Sequence, residues 1–116
     1  MHHKEMPLRA PDTPFSEVVN EISVGGFGCC GVVDQNKLIG IITDGDVRRA
    51  LNGPTENVRA ADMMTPNPHT ITEDGLAAEA LSMLSEFRIT ALFIVDSQHA
   101  PIGLIHVHDC LAIGVV

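Results

Sequence analysis

The chain has 116 residues, a formal net charge of -8 and 45% hydrophobic residues, with aromatics at only 3% and neither Trp nor Tyr. Its core must be aliphatic, and its acidity argues against a nucleic-acid partner, whose phosphates call for a basic surface. No apolar run is long enough to span a bilayer, and no charged-then-apolar segment opens the chain as an export signal would.

In chain order, Phe15, Val18, Val19 and Ile22 follow the i, i+3, i+4, i+7 spacing of a helix. Thr13 is placed to cap it, with Pro14 in the first turn, and Gly25, Gly26 and Gly28 end it. Residues 29–33 form a short apolar run and read as a buried strand. It contains Cys29 and Cys30; with Cys110 the count is odd, which fits small core thiols in a reduced, cytosolic protein better than a disulfide framework. Asp34-Gln35-Asn36-Lys37 is turn chemistry. Residues 38–43 are a second strand and 44–51 a short helix, stopped by Asn52-Gly53-Pro54. A linker follows at 52–60, then a turn of helix at 61–66 leading into the next segment.

The second half copies this order. Leu76, Ala77, Ala80, Leu81 and Leu84 make an apolar helix face, 91–95 and 102–106 are strands, and 107–112 is a short closing helix. Residues 14–34 fall on 76–96 with a shift of 62: Glu17 on Glu79, Val33 on Val95, Asp34 on Asp96. After one inserted residue, Leu38-Ile39-Gly40-Ile41-Ile42 falls on Pro101-Ile102-Gly103-Leu104-Ile105, and Asp46 on Asp109. The expected organisation is two repeats, 1–59 and 60–116. Each is too small to bury enough surface alone, so the two are expected to pack by pseudo-two-fold symmetry around a shared core.

These residues resemble a tandem pair of cystathionine-β-synthase (CBS) domains. The family marker is a strand ending in Gly-apolar-apolar-Thr/Ser, two residues, then Asp. Gly40-Ile41-Ile42-Thr43-Asp44-Gly45-Asp46 matches it in full. Gly103-Leu104-Ile105-His106-Val107-His108-Asp109 matches except at His106, which replaces the hydroxyl residue and departs from a standard adenosine-phosphate grip. Asp62-Met63-Met64-Thr65-Pro66 is also typical of the lead into a second repeat. The resemblance implies an α+β fold, two β-α-β-β-α repeats forming one Bateman-type module. More narrowly, Thr43 to Arg49 together with 106–109 and the closing Gly114-Val115-Val116 resembles the C-terminal part of bacterial D-arabinose-5-phosphate isomerases. Those enzymes carry a sugar isomerase (SIS) domain before the CBS pair and supply the first step toward Kdo, a lipopolysaccharide sugar. No SIS segment is present, so no catalytic residue is expected here.

By spacing alone, Asp44 and Asp46 read equally as helix caps or as ligand groups. The resemblance favours ligand binding, with Asp46 accepting from a ribose diol and the Thr43 hydroxyl and nearby N–H groups holding phosphate. Arg48 and Arg49 suit phosphates and carboxylates. In the second repeat His106, His108 and Asp109 are the polar counterparts, and Thr90 and Ala91 enter a strand where CBS pairs often contact a base. His106 and His108 alternate along a strand and could hold a metal, but adjacent donors do not by themselves converge, and anion or nucleotide contact is the preferred reading. Met63 and Met64 read as packing residues. No cofactor is expected. The expected effector is CMP-Kdo, or else an adenine nucleotide, in the cleft between repeats. The expected assembly is a homodimer of CBS pairs attached to a SIS domain in the parent chain; a ligand-free oligomerisation module is the rival reading.

Overall fold

The computed structural model describes residues 6–75, 77–87, 89 and 91–106. Among the described residues the chain divides into two compact units, Pro7–Pro68 and a second made of Met6 with the residues from His69 to His106. The element order is β1 (Leu8–Arg9), α1 (Phe15–Gly25), β2 (Cys29–Asp34), β3 (Lys37–Thr43), α2 (Asp44–Ala50), α3 (Ala60–Met63), β4 (Thr65–Pro66), β5 (Thr70–Thr72), α4 (Ala77–Phe87), β6 (Ala91–Val95) and β7 (Pro101–His106). The fold class is α+β, as expected.

In the first unit the strand order is β1-β2-β3-β4, with β1 parallel to β2 and the other pairs antiparallel. A parallel pair needs a crossover, and α1 supplies it. The apolar face of α1 (Val18, Ile22) packs on Cys30 and Val32 of β2 and Ile42 of β3. Gly26 ends the helix in the left-handed region, at φ 76, where a Cβ would be strained. In β3, Leu38, Gly40 and Ile42 alternate inward, as a period of two requires. A side chain at Gly40 would run into Met64, whose Cγ lies 2.8 Å from where a Cβ would stand. Glycine therefore lets Met64 lie across the strand.

The second unit has the order β5-β6-β7, β5 parallel to β6 and β6 antiparallel to β7. Ile71, Ala80, Leu84, Leu92 and Ile94 form its cluster.

The 62-residue repeat is written into the register. Leu8 pairs with Gly31 and Thr70 with Phe93. A register shift falls between Val32 and Val33 in one sheet and between Ile94 and Val95 in the other. Val18, Ile22, Cys30 and Val32 in one core correspond to Ala80, Leu84, Leu92 and Ile94 in the other. The extra residue sits in the second hairpin. The first turns through Gln35 (φ 50) and Asn36 (φ 66), a two-residue connection with both central residues left-handed. The second uses a longer loop held by Asp96, whose carboxylate accepts from the N–H of Gln98 at 2.8 Å and of Ala100 at 3.0 Å.

Two local expectations need correction. Thr13 does not cap α1: Pro14 takes the N-cap position in extended geometry, and Thr13 is buried with its carbonyl accepting from Ala60 N–H at 2.9 Å. The helical turn expected at 61–66 is only Ala60–Met63, and the chain then becomes β4, pairing with β3. By packing, the first unit takes in the segment up to Pro68. Ala60 and Met63 belong to its core, and Phe15 N–H donates to Val58 carbonyl at 3.0 Å. The closing helix expected at 107–112 lies outside the described residues.

Candidate functional site

The junction of β3 and α2 gathers the polar residues of the first marker. Thr43 is the N-cap of α2 and Asp46 its third residue. Asp46 is buried, with 4% of its surface exposed. One carboxylate oxygen, Oδ2, accepts from Thr43 N–H at 2.9 Å and from the Thr43 hydroxyl at 3.2 Å. The other, Oδ1, accepts from the Thr65 hydroxyl at 3.3 Å and from the Arg49 guanidinium in an ion pair. Every contact is one a buried carboxylate needs, since an unpaired buried charge is costly.

Arg48 and Arg49 are exposed and lean back over Gly45. A Cβ there would lie 3.7 Å from Thr43 Oγ1, 3.8 Å from Arg49 Nη1 and 3.9 Å from Arg48 Nη2. Thr43 is exposed too, so two guanidinium groups and a hydroxyl border one open position above a residue without a side chain. That arrangement suits an anion. Asp44 is exposed beside it.

In the second unit Ala91 is buried and pairs directly with His106, just as Cys29 pairs with Thr43 in the first. Thr90, His108 and Asp109 lie outside the described residues. The structure thus joins Thr43, Asp46, Arg48 and Arg49 in one unit, and Ala91 with His106 in the other. Thr65 is an addition that sequence reading missed; it reaches Asp46 from 19 residues away through the β3–β4 pairing. His69 and Phe87 also went unread, yet stack at 3.8 Å between ring centroids. Among the described residues no three His, Cys, Asp or Glu side chains converge as metal ligands would, and no helix is long and apolar enough to cross a membrane.

Cys29 and Cys30 are buried free thiols. Burial, reinforced by the charge of Asp44, pushes the Cys29 thiol from 9.0 up to about 12. Burial and then Glu21 do the same to Cys30, also to about 12. A raised folded pKa means that the fold favours the neutral thiol. That contribution is complete below pH 9 and is lost as pH rises toward 12. Thiolate is the nucleophile. At pH 8 the native chain is therefore expected to leave both cysteines unmodified by an aromatic disulfide reagent that labels them fully in urea. Peptide mapping reads this directly, and native labelling of either would refute it.

The CBS domain family model matches residues 10–53 and again 60–115. The chain belongs to the CBS domain family. It is a tandem CBS pair, and its relatives include whole enzymes. It is 37% identical over 120 residues to the arabinose 5-phosphate isomerase KdsD of Pseudomonas aeruginosa, covering 100% of this chain and 37% of that protein. It is 35% identical over 109 residues to KdsD of Francisella tularensis, covering 92% and 33%. The chain therefore spans about a third of the length of these relatives. Among solved structures, the CBS-pair protein CBSX2 from Arabidopsis thaliana superposes with a TM-score of 0.85 at 21% identity, over 99% of this chain and 90% of that one. The same protein in complex with AMP gives 0.86 at 20% identity, over 99% and 92%. The CBS domain pair of protein MJ0100, in complex with 5′-methylthioadenosine and S-adenosyl-L-methionine, gives 0.83 at 22%, over 97% and 90%. These likenesses establish the fold.

Proposed function

We propose that this CBS pair is the ligand-sensing regulatory module of an arabinose 5-phosphate isomerase, binding a nucleotide or nucleotide-sugar and carrying no catalysis itself. The observation that carries the reading is the position above Gly45, where Thr43, Arg48 and Arg49 border a place for an anion beside the Asp46 carboxylate. Kinship with KdsD along the whole chain supports the parent enzyme. In such an enzyme the favoured effector is CMP-Kdo, the activated end product: its ribose diol suits Asp46, and its phosphate and sugar carboxylate suit the two arginines. The net charge of -8 repels an anion at long range, so affinity must come from these local cations. An adenine nucleotide is the second reading, favoured by the AMP complex of CBSX2. The same proposal places the module in the cytoplasm as a homodimer of CBS pairs, with exposed Val24 on α1 and Phe87 on α4 as apolar surface for assembly.

Titration calorimetry of the chain with CMP-Kdo, AMP and ATP tests this. CMP-Kdo is expected to bind at least tenfold more tightly than AMP. The reverse order selects the adenine-nucleotide reading, and absence of heat with all three rejects ligand sensing in favour of a ligand-free assembly module.

A further inference from the structure

The residue assigned to the ribose diol has no vacant oxygen. A carboxylate offers about four acceptor positions. On Asp46 they are taken by Thr43 N–H, Thr43 hydroxyl, Thr65 hydroxyl and the Arg49 guanidinium. A diol needs two, so donors must leave. The Thr43 N–H is fixed by the N-cap backbone, while the hydroxyls can rotate in place. Arg49 is different: its side chain is 70% exposed, whereas that of Asp46 is 3% exposed. It can withdraw along a solvated path without moving the backbone, at the expense of leaving a buried carboxylate without its counter-ion.

We propose that Arg49 is a placeholder and thereby a specificity-determining residue. In the free chain it occupies the diol position on Asp46; when a ligand arrives, it swings off and pairs with the ligand's anionic group. This rests on the nucleotide-binding reading above. The travel is short, because Arg49 Nη1 already lies 3.8 Å from the point above Gly45 that Arg48 Nη2 approaches to 3.9 Å. A neutral nucleoside displaces Arg49 and offers it nothing in return. A nucleotide displaces it and gives it a phosphate. The ion pair therefore acts as a filter against neutral nucleosides, not only as an attraction for anions. The second repeat has no such device by sequence: it keeps the aspartate, Asp109, but has Ala112 where Arg49 falls.

The test compares cytidine with CMP, and adenosine with AMP, on the full chain and on Arg49→Gln, by calorimetry. A contact residue and a placeholder predict opposite signs for the nucleoside. In Arg49→Gln the nucleotide is expected to bind at least tenfold more weakly and its nucleoside at least threefold more tightly, compressing the selectivity thirtyfold or more. Nucleoside affinity that is unchanged, reduced or undetectable in the variant, with the wild type still binding nucleotide, overturns the placeholder and leaves the nucleotide-binding reading standing. A wild-type chain that binds none of the four overturns both. Should Arg49→Gln not fold, the wild type decides by NMR. The Arg49 Nε–H resonance is expected to shift on saturation with CMP or AMP, and a resonance that stays fixed overturns the proposal.

Discussion

Leu92→Ala is expected to lower the free energy of unfolding by about 2–5 kcal/mol, the range for emptying a buried leucine site. Leu92 is fully buried in β6 among Ile71, Ala80, Leu84 and Ile94. With only three percent aromatic residues and a small cluster per unit, few neighbours are large enough to collapse into the space. Its counterpart in the first unit is Cys30, a much smaller side chain in the same place against α1. Cys30→Ala is expected to cost about 1 kcal/mol, close to the transfer value of one small group. The difference reflects a trade of volume between repeats. Where the first unit sets Val18 against Cys30, the second sets Ala80 against Leu92. Leu92→Cys alone should therefore leave a void that Ala80→Val partly fills, and the double variant should be more stable than additivity of the singles predicts. Urea unfolding at unchanged m-value measures all of these. A Leu92→Ala chain within 1 kcal/mol of wild type would show that β6 is not the centre of its core.

The elements legible in the sequence were those with a period, an unbroken apolar run or strong stop residues to mark them. The eleven-residue helices α1 and α4 show their apolar spacing openly, and a single shift of 62 puts β2 and β6 at equivalent positions, each in the same register with its own parallel neighbour. The strands β1, β4 and β5 are two or three residues long and have no period to read. Pro14 took the N-cap because the backbone before α1 is tied to the inter-repeat segment, through the Pro14–Arg59 bridge and the Thr13–Ala60 bond. A capping rule confined to the helix could not register that tie. At the site, the identity of Asp46 was visible from the marker, but its burial was not. Helix α2 has seven residues, too few for a face to emerge, and part of what covers the carboxylate is Thr65 on a strand that sequence reading did not find.

Asp46→Ala is expected to weaken nucleotide or nucleotide-sugar binding at least tenfold while lowering stability by only about 1–2 kcal/mol, the cost of a lost helix cap. Breaking a buried ion pair commonly costs more, about 3–5 kcal/mol, because it strands a charge away from water. Here the stranded partner is Arg49, which is 70% exposed and rehydrates when the carboxylate goes. The exposed Thr43 and Thr65 hydroxyls do the same. The loss in binding is relieved only in part, since Arg49 no longer has to be displaced but the diol loses its acceptor. The ligand's hydroxyls would be desolvated against a methyl group, and hydrogen bonds to a charged acceptor are worth about 1.5–3 kcal/mol each. Asp62 is the internal control: it occupies the same third position of α3 and accepts from Arg59 N–H at 2.9 Å, the same capping bond on a neighbouring helix. Asp62→Ala should lose a cap and leave nucleotide affinity untouched. If the two variants lose stability alike and bind nucleotide alike, Asp46 is a cap and nothing more. If only Asp46→Ala loses affinity, the carboxylate that stabilises the free helix is also the one that receives the ligand.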